Sequence, residues 1–172
     1  MTTTEATETQ QSAMKKPEPQ KEHQWLKQLL GEWTFEGEAM MPGAPPEKFQ
    51  GTERVRSVGD LWFLSEGEGA IPGGGMSTSL ATLGYDPQKK RFVGTFIGSM
   101  MTNLWVYDGS LDASERVLTL DTEGPGMTGD GKMAKYQDII EILSADQRTL
   151  TSRVQGDDGT WTQIMQMTYR RK

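Results

Sequence analysis

From residue 31 onward, apolar and polar side chains alternate in short runs, broken every 10–15 residues or so by glycine, proline or aspartate. A period of two is the pattern of a half-buried strand, and regular breakers between such runs mark an all-β chain. The spacing predicts ten strands, at roughly 32–41, 48–58, 61–69, 76–86, 91–99, 103–111, 116–124, 132–143, 147–156 and 160–171. In the eighth, Ala134, Tyr136, Ile140 and Ile142 face away from Lys135, Gln137 and Glu141. In the last, Trp161, Met165, Met167 and Tyr169 are assigned to one face, with Thr162, Gln166 and Thr168 on the other. The sixth carries apolar residues on both faces, Trp105 and Tyr107 against Leu104 and Val106, which predicts cover on both sides. Segments such as Pro42–Pro46 and Gly156–Gly159 have the chemistry of turns.

Only one stretch before the strands keeps a helical period. Trp25, Leu26, Leu29 and Leu30 form one stripe over Glu22–Leu30, and Gly31 stands where a glycine ends a helix. Residues 1–20 are Thr, Glu, Gln, Lys and Pro with almost nothing to bury, so a disordered tail is expected there and a single barrel domain over 21–172. Ten meandering strands left open would expose two edges. Closure removes them, so an antiparallel up-and-down β-barrel is expected, and a two-sheet sandwich fits less completely.

Gly31-Glu32-Trp33, directly after the short helix, resembles the G-x-W element of the lipocalins and their calycin relatives. That resemblance implies a helix plugging one end of the barrel, with Trp33 packed beneath a basic residue of the last strand. Arg171, in phase with Met167 and Tyr169, is the residue it selects. An arginine stacked on an indole contributes about 0.5–2 kcal/mol. The series EHQWLKQLLGEW, GYDPQKKRFVGTFIGS, LWVYDGSLD, RVLTLDTEGP and YQDIIEIL resembles the DUF1579 family from about residue 20 to the C-terminus. This family brings no assigned activity and no catalytic residues to carry over.

Composition narrows the chemistry further. The absence of cysteine excludes disulfides, thiolate metal sites and a cysteine nucleophile, and a single histidine leaves no multi-histidine centre. A net charge of −6 disfavours nucleic acid, which needs clustered Lys and Arg to displace phosphate counterions. No run of about 18 apolar residues predicts a membrane helix, and the N-terminus lacks the apolar core of a secretion signal. A cytoplasmic location, no membrane partner and no cofactor are therefore expected.

The remaining candidates are weighed by position. His23 would be the haem ligand by analogy with nitrobindin-like barrels, but it precedes the first strand and reads as an end-cap residue. Asp86, Asp108, Asp112, Asp121 and Glu123 read as turn formers and solvated faces, without the spacing of a calcium loop or a glycosidase pair. Gly67–Gly75 is no phosphate loop and reads as a flexible hairpin that would gate a barrel mouth. Arg54 and Arg56 share a face; turned inward, they would anchor an acidic head group. Met76, Met100, Met101, Met127, Met133, Met165 and Met167, with Trp62, Phe96, Trp105, Tyr136 and Trp161, would line an adaptable apolar pocket. The expectation is a barrel that binds a small apolar or amphipathic ligand. The alternatives are a homodimer joined through Leu104 and Val106, or an enzyme using inward carboxylates and arginines.

Overall fold

The computed structural model describes residues 15–71 and 73–172; most of the expected tail lies outside them. Residues 15–20 lead into helix α1 (Lys21–Leu26), which continues as a single 3-10 turn over Lys27–Leu29. The helix starts where the Gln20 N–H donates to Nδ1 of His23, at 2.9 Å. Its stripe Trp25, Leu26 and Leu29 is buried, as period 3.6 requires of a helix with one apolar face.

Ten strands follow: β1 (Gly31–Ala39), β2 (Glu47–Val58), β3 (Trp62–Ala70), β4 (Met76–Asp86), β5 (Arg91–Gly98), β6 (Trp105–Leu111), β7 (Val117–Pro125), β8 (Met133–Ser144), β9 (Gln147–Gln155) and β10 (Trp161–Arg171). Each pairs antiparallel with its neighbours in sequence, and β1 pairs with β10 from Trp33 opposite Arg171 to Ala39 opposite Met165, closing the barrel. Closure leaves no sheet edge, so every strand can be short and half-polar without offering a template for aggregation.

Two departures from simple alternation bear on the site. The register of β10 against β9 shifts between Gln163 and Met165. This bulge inserts one residue and reverses the phase of the strand before it. Trp161 therefore pairs with Gln155 and lies on the outer face, under the guanidinium of Arg153 at 4.9 Å, while Met167 and Tyr169 are buried inside. The single face assigned to Trp161, Met165, Met167 and Tyr169 is thus corrected. Second, β6 pairs with β7 only from Asp108/Asp121 to Leu111/Leu118, so the two strands splay apart beyond that point. The Trp105 ring lies in this gap: a Cβ at Gly124 would come within 2.2 Å of it.

The plugged end is where the hydrophobic core lies. Leu26, Trp33, Phe63, Phe92, Leu118, Leu120 and Ile140 are all buried there. The Trp33 indole donates to the Leu29 carbonyl at 2.9 Å, and Arg171 stacks 4.1 Å from its ring centre. Arg171 also donates to the carbonyls of Leu30, Gln28 (3.1 Å) and Ala145 (3.0 Å), satisfying the end of the 3-10 turn. Gly31 is required here: its φ is +115°, and a Cβ would sit 2.7 Å from the Arg171 guanidinium.

Candidate functional site

Alternation places Glu53 of β2, Tyr107 of β6, Thr122 of β7, Asp138 of β8, Arg148 and Ser152 of β9, and Tyr169 of β10 on the inner face. They make a polar layer above the packed plug. Arg148 and Glu53 form an ion pair through Nη2 and Oε1, with side chains only 4% and 13% exposed. The guanidinium lies 3.8 Å above the Tyr169 ring and 4.8 Å from that of Trp33. Burial raises the Tyr169 phenol well above its ordinary range, and the nearby Glu53 charge adds to this.

On the opposite side of this layer, the Tyr107 hydroxyl donates to Oδ2 of Asp138 and the Ser152 hydroxyl to Oδ1, each at 2.5 Å. Burial pushes the Asp138 carboxyl above its ordinary value, and the two hydroxyl donors only partly offset that. Burial, reinforced by the Asp138 charge, raises the Tyr107 phenol strongly. The Thr122 hydroxyl and Nε of Arg148 are buried without a hydrogen-bond partner.

Towards the mouth the inward side chains are less completely buried. Five strands around the ring from β8 and β9 lie β3 and β4, so these pairs face each other across the barrel. The inward residues of β3 and β4 there are Ser65, Gly67, Gly69, Ser77, Ser79 and Ala81. Phe35 covers part of this wall, close to Gly51 and Gly69. Asp138 keeps accessible surface, as do Phe35, Phe49, Phe96, Trp105, Leu150 and Met165, although all point inward. Glycines let several of the aromatic rings lie flat on the wall: a Cβ at Gly51 would come within 2.5 Å of Phe35, and one at Gly37 within 2.9 Å of Phe49.

Of the ligand-binding candidates, the structure brings Phe96, Trp105 and Tyr136 to the inner face. Trp105 and Tyr136 meet edge to face at 4.9 Å, and the Tyr136 hydroxyl donates to the Pro125 carbonyl at 2.5 Å. Arg54 and Arg56 point outward; Arg56 lies 4.0 Å from Glu66 on the surface. They cannot anchor an interior head group, because Val55 between them is the buried member of β2. Trp62 is likewise outside, 46% exposed, its ring laid over Gly84. Of the described methionines, Met165 and Met167 point into the barrel, while Met76, Met100, Met101 and Met133 are exposed around its mouth. Gly67 and Gly69 belong to β3, so the mouth hairpin is shorter than Gly67–Gly75.

His23 is buried in the plug, edge-on to Tyr85 at 5.8 Å, and does not reach the cavity. Asp86 and Asp112 cap turns through backbone N–H groups. Asp108 and Asp121 pair with Arg91 outside the barrel. The interior carboxylates are Asp138 and Glu53, which the sequence reading had not singled out. A signal for Asp138 existed: it shares parity with Tyr136, Ile140 and Ile142, an acid set in an apolar stripe. Among the described residues no group of three or more His, Cys, Asp or Glu is placed to hold a metal. No helix among them is long and apolar enough to cross a membrane.

Two solved structures share this architecture. The S-type phycobiliprotein lyase CPES from Guillardia theta superposes with a TM-score of 0.59 at 14% identity, covering 91% of this chain and 98% of its own. Rv2717c from M. tuberculosis does so with a TM-score of 0.58 at 13% identity, covering 87% and 96%. At these identities the likeness is one of fold. No curated protein matches the sequence significantly. The pattern of a family described as a protein of unknown function (DUF1579) matches residues 18–171, and the chain belongs to that family.

Proposed function

We propose that this member of the DUF1579 family is a small-molecule binding module that holds an apolar or amphipathic ligand in the mouth half of its barrel. One observation carries the reading: in a fully closed barrel the inward Phe35, Phe49, Phe96, Trp105, Leu150, Met165 and Asp138 remain only partly buried, with small side chains of β3 and β4 on the facing wall. Aromatic rings on the cavity wall supply apolar contact, and the polar layer at its floor supplies orientation, the usual division of labour in a ligand site. The ring of exposed methionines at the mouth fits entry of a flexible apolar group, since thioether side chains repack at little cost.

Native mass spectrometry of gently purified protein, compared with the same sample denatured, tests this first. A mass increment that is lost on denaturation supports the reading. A bare mass, together with no uptake of added decanol by calorimetry, overturns it. A second reading, self-association through the outer face of β6, is favoured by Leu104 and Val106, which are 57% and 60% exposed. Sedimentation over a hundredfold concentration range tests it, and a monomer throughout overturns it.

A further inference from the structure

Resting on the interior site just proposed, the charge balance inside the barrel selects a class of ligand. Between plug and mouth the described inward-facing charges are Glu53, Asp138 and Arg148, two carboxylates against one guanidinium. Arg148 is matched by Glu53. Among the described residues, no Lys, Arg or His lies within ion-pair distance of Asp138. We infer that the ligand is an organic cation, an amine or ammonium group on an apolar body, whose charged end is received by Asp138.

The local chemistry has the remaining parts of such a site. A carboxylate has about four lone-pair positions, and the Tyr107 and Ser152 hydroxyls occupy one on each oxygen. Lone pairs therefore remain for N–H donors from the cavity side. The Thr122 hydroxyl, buried and unpartnered, stands in register with Tyr136 on the same wall. It can accept a further N–H. Trp105, Tyr136 and Phe96 point inward above this floor, and aromatic faces attract cations. The protein already uses that interaction three times around its own core, with Arg148 over Tyr169 and Trp33 and Arg171 over Trp33. A fatty-acid carboxylate would meet the opposite situation. With Arg54 and Arg56 outside and Arg148 already paired, it would bring a second negative charge to Asp138 with no free cation to receive it.

Burial holds the Asp138 carboxyl above its ordinary value, and an ammonium group beside it would favour the charged form. Amine binding is therefore linked to proton release from Asp138. The groups that face it are the Tyr107 and Tyr169 phenols, Ser152, Thr122 and the Glu53–Arg148 pair. Both phenols are raised, so neither titrates in the same range as the carboxyl.

The test uses three ten-carbon probes on the full chain by titration calorimetry below their micelle concentrations: decylamine, decanol and decanoate. Decylamine is expected to bind about tenfold or more tighter than decanoate, the advantage of a charge-assisted hydrogen bond. In Asp138→Asn that ratio is expected to fall towards one. Should the variant not fold, titration of the unsubstituted chain in two buffers of different ionisation enthalpy serves instead: decylamine, unlike decanol, should release a proton and bind more tightly as pH rises. Decanoate binding as well as decylamine, or an amine advantage that survives in Asp138→Asn, overturns the cation inference and leaves the interior pocket standing. If none of the three probes binds, the pocket itself fails.

Discussion

The two halves of the barrel interior are built from the same ten strands under the same alternation, yet they have opposite packing. In the plug half, Trp33, Phe63, Phe92, Leu118 and Ile140 meet across the axis and exclude water. In the mouth half, serine, glycine and alanine on β3 and β4 stand across from Asp138 and Ser152, and several inward side chains are only partly buried. Between them lies the Glu53–Arg148–Tyr169 layer, held in place by an ion pair that closes over two aromatic faces. The difference separates two uses of a barrel interior. One half holds the β1–β10 seam together through close packing, and the other carries partly buried side chains and Asp138, unpaired among the described residues.

Four experiments break or sharpen that contrast. Trp33→Ala should have the largest effect. It removes a ring that is 1% exposed, its hydrogen bond to Leu29 and the platform for two guanidinium groups. A loss of about 3–5 kcal/mol is expected from urea unfolding, as for large buried aromatics generally. Arg148→Met should follow at about 3 kcal/mol, because it strands Glu53 without its partner. Adding Glu53→Gln should recover most of that loss, and failure to do so would mean that stacking on Tyr169 matters more than the charge.

In the mouth half, Ala81→Leu should move stability by no more than about 1 kcal/mol, since Ala81 is only partly buried and is paired with the small Ser65. Decanol uptake should drop at least tenfold. Leu118→Phe in the plug, although a smaller enlargement, should cost about 1–3 kcal/mol through overpacking. If the two substitutions cost the same, the halves do not differ as described.

The smallest effect is a pH slope. Burial raises the Asp138 carboxyl above its ordinary 3.8, so the folded chain holds this proton to higher pH than the unfolded chain does. Its contribution to stability is therefore complete below the ordinary carboxylate range and is lost as pH rises through the raised value. Asp138→Asn should remove that decline, measured as the urea midpoint from acidic to neutral pH.

Much of this architecture can be read directly along the chain. The apolar stripe Trp25, Leu26, Leu29 and the glycine after it define the plug helix. Alternating runs between Gly, Pro and Asp breakers define ten strands to within a residue or two, because strand period and turn chemistry are local properties. What alternation alone cannot supply is which of two faces turns inward when both carry similar residues. On β2, Glu53 and Val55 went in and Arg54 and Arg56 out; on β6, Trp105 went in and Val106 out. One bulge before Met165 was enough to put Trp161 on the opposite side. The candidate site depended on tertiary structure for the same reason. Residues 53, 107, 138 and 148 lie on four different strands, and only closure of β1 against β10 brings Glu53 within reach of Arg148 and sets the small residues of β3 and β4 across from Asp138. Sequence determined the strands, the turns and the plug, which need only neighbours along the chain; the sign of each face and the meeting of distant charges were decided by the closed barrel, where burying one side chain depends on all the others that share its interior.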